Sequence, residues 1–233
     1  GWAQELSKTR RVIRFDMPGF GLTGPSSDGD YSIESYVAFV ATVLDQLNVQ
    51  NCVLAGNSLG GYVAWATALA HSERVQRLIL VDSSGYAYQS LSVPLAFRIA
   101  RTPVLGSMLG PVLPRAIVEK SVANVYGDST KVTPELVDRY FDLTTRAGNR
   151  QALVQRFKQT QPGALAARVV ELKLPTLIIW GGKDHLIPSE LGTRFSKEIT
   201  DSQLIVFPEL GHVPQEEAPL QTVAAVKTFL AIP

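Results

Sequence analysis

At 233 residues, with 45% hydrophobic and 18% charged residues, the chain is long enough for one large α/β domain, or for a core with a smaller inserted domain, and too apolar to be disordered. A net charge of +1, from 22 Lys+Arg against 21 Asp+Glu, gives no reason to expect nucleic acid as a partner. The single cysteine, Cys52, excludes an internal disulfide and a cysteine-based metal site, and it reads as a small core residue.

In chain order, "VIRF" (residues 12–15) reads as a short strand stopped by Pro18 and Gly19. Ser32 is a helix cap, and Ile33, Tyr36, Val37, Val40, Leu44 and Leu47 recur at helical spacing after it. "CVLA" (52–55) is an apolar strand, residues 59–70 form a helix apolar nearly all round, and "LILV" (78–81) is a second apolar strand. From Tyr86 to about Arg168 the alternation stops. The apolar stretch 91–113 carries Arg98 and Arg101 and is cut by Pro94, Pro103 and Pro111, so it lacks the ~20 largely uncharged residues of a membrane span. A lid with an apolar underside is expected there, drawn from Leu95, Phe97, Ile99, Leu105, Met108 and Leu109. Thr133-Pro134-Glu135 opens a helix that ends near Gly148, and a second helix covers residues 149–159. Strands and helices then alternate again: strand 176–180, helix 189–199, strand 203–207 and helix 219–230. This order predicts a mostly parallel, doubly wound sheet covered on both faces. Residues 1–85 and 169–233 form the core, and residues 86–168 are an all-helical insertion.

"GFGLTG" (19–24) matches the spacing of a dinucleotide-binding loop, but that loop works only when its last glycine lies in a helix facing a pyrophosphate. Here loop composition follows Gly24 and the next helix waits until about Ser32. The stretch reads as a glycine-rich turn, and no cofactor is expected.

The chemistry centres on "GNSLG" (56–60), at the corner between an apolar strand and a small-residue helix. A serine hydroxyl needs a base in reach, a group to orient that base, and donors aimed at the developing oxyanion. The Gly-x-Ser-x-Gly corner lifts Ser58 to the carboxyl end of the sheet and points the Leu59 N–H, at the helix N-terminus, toward an oxyanion. A side chain at 56 or 60 is expected to collide where strand and helix approach. Among the histidines, His71 ends the helix that starts at the serine, and His185 directly follows Asp184. His212 stands in a loop after strand 203–207, where it can reach over Ser58, and is the preferred base. Asp184, four residues after Trp180, is the preferred orienting acid, and Asp82, just after strand 78–81, is its rival. No metal is expected.

The segments "DMPGFGLTGP", "AGNSLGG", "LILVDSSG", "LPTLIIWGGKDHLIP" and "FPELGHVPQEEAP" together resemble the α/β-hydrolases. The resemblance implies a helical cap over the site, a Ser58–Asp184–His212 triad and hydrolysis without a cofactor. It also separates branches. Haloalkane dehalogenases and epoxide hydrolases place an aspartate where Ser58 stands. Carbon–carbon bond hydrolases of aromatic degradation use a similar "GNS" corner but usually carry tryptophan after the histidine, where this chain has Val213. The expected function is therefore hydrolysis of a carboxylic ester of a small apolar molecule through an acyl-enzyme. The alternatives are a carbon–carbon bond hydrolase, in which Arg98 or Arg101 meets a substrate carboxylate, and a non-catalytic binding protein or inactive form of the fold. Perhydrolase, thioesterase and acyl-transfer variants complete the range. The family pattern also has a His-Gly loop ahead of "RVIRFDMPG", whose N–H is the second oxyanion donor. That pattern predicts a native protein longer at its N-terminus, with strands ahead of Gly1. With no targeting segment in view, the expected compartment is the cytoplasm.

Overall fold

The computed structural model describes residues 1–102 and 113–231. Helix α1 (Trp2–Leu6) is followed by α2 (Ile33–Gln46), strand β1 (Cys52–Asn57), α3 (Leu59–Ala70) and β2 (Val75–Val81). Next come α4 (Leu95–Arg101), α5 (Arg115–Val125), α6 (Pro134–Thr145) and α7 (Asn149–Gln159). The chain closes with β3 (Thr176–Gly181), α8 (Glu190–Glu198), β4 (Ser202–Phe207), α9 (Pro214–Glu217) and α10 (Pro219–Ala231). The strands form one parallel sheet in the order β1-β2-β3-β4.

Alternation along the central strands divides the core between the two faces of the sheet. Leu78, Leu80, Ile178 and Trp180 pack on one face with Trp65 of α3 and Phe195 of α8. Ile79, Val81, Leu177 and Ile179 pack on the other with Val226 and Phe229 of α10. Burial on both faces explains why these strands read as continuous apolar runs. Phe195 is fully buried, and its ring centroid lies 4.5 Å from that of Tyr86 and 6.4 Å from those of Trp65 and Trp180. The caps read from the sequence form: Ser32 accepts from the Ser35 N–H, and Thr133 from the Leu136 N–H.

The sheet departs from expectation at its β1 edge. Residues 12–15 form no strand, and Phe15 is 41% exposed. None of residues 1–51 forms a strand. The apolar composition of the 12–15 segment is suited to a strand, but without a ladder there is nothing to hold it extended. It does not pair directly with β1 either. "GFGLTG" is a tight turn, with the Gly19 N–H bonded to the Gly24 carbonyl at 2.6 Å and positive φ at Gly19, Gly21 and Gly24.

Among the described residues, the segment between β2 and β3 contains helices and no strand. It builds its own apolar cluster from Ala100, Leu113, Val118, Val122, Tyr126 and Val154. Helices α4 and α5 were not legible as helices. Pro94, one of the prolines that cut the apolar stretch 91–113, and Pro114, just beyond it, stand at their N-caps. Of the lid candidates, Phe97 lines the large cavity, Ile99 packs on the helical cluster and Leu95 is half-buried. Leu105, Met108 and Leu109 lie outside the described residues, as do Pro103 and Pro111.

Phe195→Ala removes the ring shared by three aromatic neighbours. It is expected to cost about 3–5 kcal/mol in urea unfolding at unchanged fold.

Candidate active site

Ser58 sits between β1 and α3 with φ 56° and ψ −119°, a conformation an L-residue occupies only under constraint. The constraint is visible in the backbone. The Ser58 N–H donates to the Val81 carbonyl at 3.0 Å, and the Ser58 carbonyl accepts from the Tyr62 and Ser84 N–H groups. Glycine enables the corner, but not where expected. A Cβ on Gly56 would lie 2.1 Å from the Gly60 carbonyl oxygen, and one on Gly61 would lie 2.5 Å from Ser83 Oγ. A Cβ on Gly60 meets nothing within 4 Å, because Gly60 faces the open cavity. The expectation of a clash at 60 is corrected: the close approach falls at 56 and 61.

His212 is 5% exposed, and its Nδ1 lies 2.7 Å from Asp184 Oδ2. Asp184 is also buried, and its Oδ1 accepts from the Leu186 and Ile187 N–H groups at 2.8 and 3.0 Å. The other histidines stay apart from this pair. His185 is exposed, and His71 ends α3 beside Glu73. Ser58, Leu59 and His212 line one cavity of about 1250 Å³ at the carboxyl end of the sheet.

The histidine loop is held from three sides by residues whose part was not read from the sequence. Asn57 Nδ2 donates to the carbonyls of His212 and Val81, tying the loop to the serine corner. The His212 N–H donates to the Val125 carbonyl at the end of α5, and Val213 packs into the helical cluster. Buried Glu217 accepts from the N–H groups of Gly127, Asp128 and Gly211 at 2.8–2.9 Å. Three acceptances in one place keep a buried carboxylate from being costly.

Asp82 is fully buried behind Asp184, and ligand atoms of Asp82, Asp184 and His212 all lie within 4.8 Å of one another. Gly181 N–H donates to Asp82 Oδ1 at 2.9 Å, while Oδ2 has no donor among the described residues. Burial, and then the charge of Asp184, push the Asp82 carboxyl well above the usual carboxylate range. Of the two acids, Asp184 is the one in contact with the imidazole, and Asp82 stands behind it holding its proton more tightly than an ordinary carboxyl. A metal is poorly served here, since both Asp184 oxygens and Asp82 Oδ1 already accept hydrogen bonds.

The wall also carries arginines. Arg101 lines the cavity, whereas Arg98 is exposed and outside its lining. Arg156 of α7 lines it as well and was overlooked in the sequence. A signal was present: Asn149, Ala152, Arg156 and Gln159 recur at intervals of three and four on one helix face, and Asn149 and Ala152 are buried.

The family described as alpha/beta hydrolase fold matches residues 1–219. The chain belongs to the alpha/beta hydrolase fold family. It is 33% identical over 232 residues to a 2-hydroxymuconate semialdehyde hydrolase of Pseudomonas putida, covering 97% of this chain and 78% of that relative. Among solved structures it is similar to a meta-cleavage product hydrolase from Pseudomonas fluorescens, with TM-score 0.84 and 27% identity over 98% of this chain and 82% of that one. It is similar also to a thermophilic esterase from Thermogutta terrifontis, with TM-score 0.80 and 26% identity over 98% of this chain and 84% of that one. No helix among the described residues is long and apolar enough to cross a membrane.

Two predictions test the geometry. Gly56→Ala is expected to cost about 3 kcal/mol in urea unfolding, whereas Gly60→Ala leaves stability unchanged or raises it by up to about 1 kcal/mol. The second concerns pH. Because the folded Asp82 carboxyl titrates above its unfolded value, its contribution to stability is present in acid and lost as pH rises from about 4 toward the folded pKa. Asp82→Asn can keep the Gly181 bond and does not ionise. The variant's melting temperature relative to wild type is therefore expected to rise between pH 4 and pH 8.

Proposed function

We propose that the chain is a serine hydrolase in which Ser58 is the nucleophile, His212 the general base and Asp184 the acid that orients it. His212 takes the Ser58 proton as the oxygen attacks the acyl carbon, and Asp184 holds the Nδ1 tautomer and stabilises the imidazolium. The Leu59 N–H, at the start of α3, receives the oxyanion. The protonated imidazole releases the leaving group, and water then hydrolyses the acyl-enzyme. Residues 86–168 act as the lid over this chemistry. The carrying observation is that the strained Ser58 corner and His212, buried against Asp184, line one cavity.

The preferred substrate is a carboxylic ester. The similarity to a thermophilic esterase supports this, as does Val213, which packs into the helical cluster beside the base. A second reading is cleavage of a carbon–carbon bond next to a ketone. It is favoured by the relatives named as 2-hydroxymuconate semialdehyde and 2-hydroxy-6-oxo-2,4-heptadienoate hydrolases, both 33% identical.

Intact mass spectrometry after a fluorophosphonate probe is expected to show one adduct, absent in Ser58→Ala. That substitution is also expected to lower kcat by at least about 10³-fold. Turnover of p-nitrophenyl esters without turnover of a 2-hydroxy-6-oxo-dienoate supports the ester reading, and the reverse pattern supports the second. An unlabelled serine in folded protein overturns both.

A further inference from the structure

The wall of the Ser58 cavity carries an imbalance of charge. Arg101, Arg156 and Lys158 line it, and Glu34 is its single carboxylate among the described residues. Arg156 is the unusual member. Among the described residues, its buried Nε has no hydrogen-bond partner and no carboxylate lies against its guanidinium. The guanidinium lies over two aromatic rings, 4.4 Å from the Phe157 centroid and 5.5 Å from that of Phe20. Its charged neighbours offer no compensation. The nearest other cation, Arg101, lies over the same Phe157 ring at 4.7 Å. The nearby phenols, Tyr36 and Tyr88, are held neutral because burial raises their pKa values. Buried charges in proteins are ordinarily paired, so a cation left without an anion at the wall of a binding cavity is an unfilled half of a pair.

The helix that presents Arg156 is fixed in place. Asn149 Nδ2 donates to the Gly21 carbonyl, Gln159 Nε2 donates to the Gly29 carbonyl, and Gln159 Oε1 accepts from the Tyr31 N–H at 2.7 Å. The guanidinium is therefore oriented before any ligand arrives, and its planar fork matches a carboxylate.

We propose that Arg156, supported by Arg101, forms a subsite for an anionic group carried by the substrate, so that the preferred ester is one whose acyl part ends in a carboxylate. This rests on the reading of Ser58 as nucleophile and adds the substrate's charge to it. Arg156 binds and positions, and takes no part in bond-making.

The test compares mono-p-nitrophenyl glutarate with p-nitrophenyl pentanoate, which share a chain length and differ in the terminal charge. The wild type is expected to favour the glutarate ester in kcat/KM, after correction for the two hydroxide-catalysed rates. Arg156→Gln is expected to reduce that preference at least about 30-fold, mostly through KM. Arg156→Lys should retain part of it, and Arg98→Gln, outside the cavity, should retain all of it. Calorimetric binding of glutarate to the full chain, lost in Arg156→Gln at unchanged melting temperature, reads the subsite without turnover. A preference unchanged in Arg156→Gln while the probe still labels Ser58, or no glutarate binding by the wild type, overturns the subsite. An unlabelled Ser58 with Arg156-dependent glutarate binding upholds the subsite and overturns the catalytic reading instead.

Discussion

The molecule depends on how closely β1 and α3 meet. With hydrogen alone on Gly56, the strand runs to within van der Waals reach of the Gly60 carbonyl, and with hydrogen alone on Gly61 the helix settles against Ser83. The chain must therefore reverse within one residue, and that residue is Ser58. Its positive φ is strain that the surrounding backbone bonds overdetermine, since Val81, Ser84 and Tyr62 all hold it. Relaxing the corner would lower the serine into the sheet. The place of Ser58 on the cavity wall and the helix N-terminus behind it are two consequences of the same close packing.

The histidine loop is organised in the opposite way, by polar contacts from separate parts of the chain. Asn57 reaches it from the serine corner, Val125 from the end of a helix in the insertion, and Glu217 ties Gly211 to Gly127 and Asp128. Close backbone approach reinforces this, because a Cβ on Gly211 would lie 2.4 Å from the Gly127 nitrogen. The imidazole position thus depends on the segment between β2 and β3 as well as on the sheet, so a displacement of α5 would be felt at His212. Behind it, burial and the neighbouring Asp184 favour the neutral form of Asp82, which eases the placing of a second acid beside Asp184. Two ionised carboxylates so close in a dry interior would repel strongly.

Charge on the cavity wall follows the same economy. Among the described residues, aromatic faces rather than carboxylates lie against Arg156, so its cation is partly stabilised while its Nε has no acceptor. A wall built this way places a cation at the cavity, remote in sequence from Ser58. It is a means of orienting a substrate without placing a charge at the reacting atoms.

Much of this was legible in the sequence because it is local. Apolar runs marked β1 to β4, the Ser32 and Thr133 caps fixed where α2 and α6 begin, and "GNSLG" marked the corner. Asp184 and His212 could be proposed because each follows a strand at the same edge of a parallel sheet. Other features depend on what residues far apart in sequence do to one another. Residues 12–15 have strand composition but no ladder partner, so composition misled there. Helices α4 and α5 were hidden by prolines that cap them rather than break them. Whether Gly60 or Gly61 must be glycine depended on Ser83, which arrives from the next strand. The sequence by itself thus determined the elements, the serine corner and the candidate acid and base, since each follows from chemistry within a few residues. Only the tertiary structure decided that Asp82 lies behind Asp184 and that Arg156 stands at the cavity wall with no anion among the described residues. Both depend on which groups are brought together out of water, and burial, not sequence distance, sets the energy of a charge.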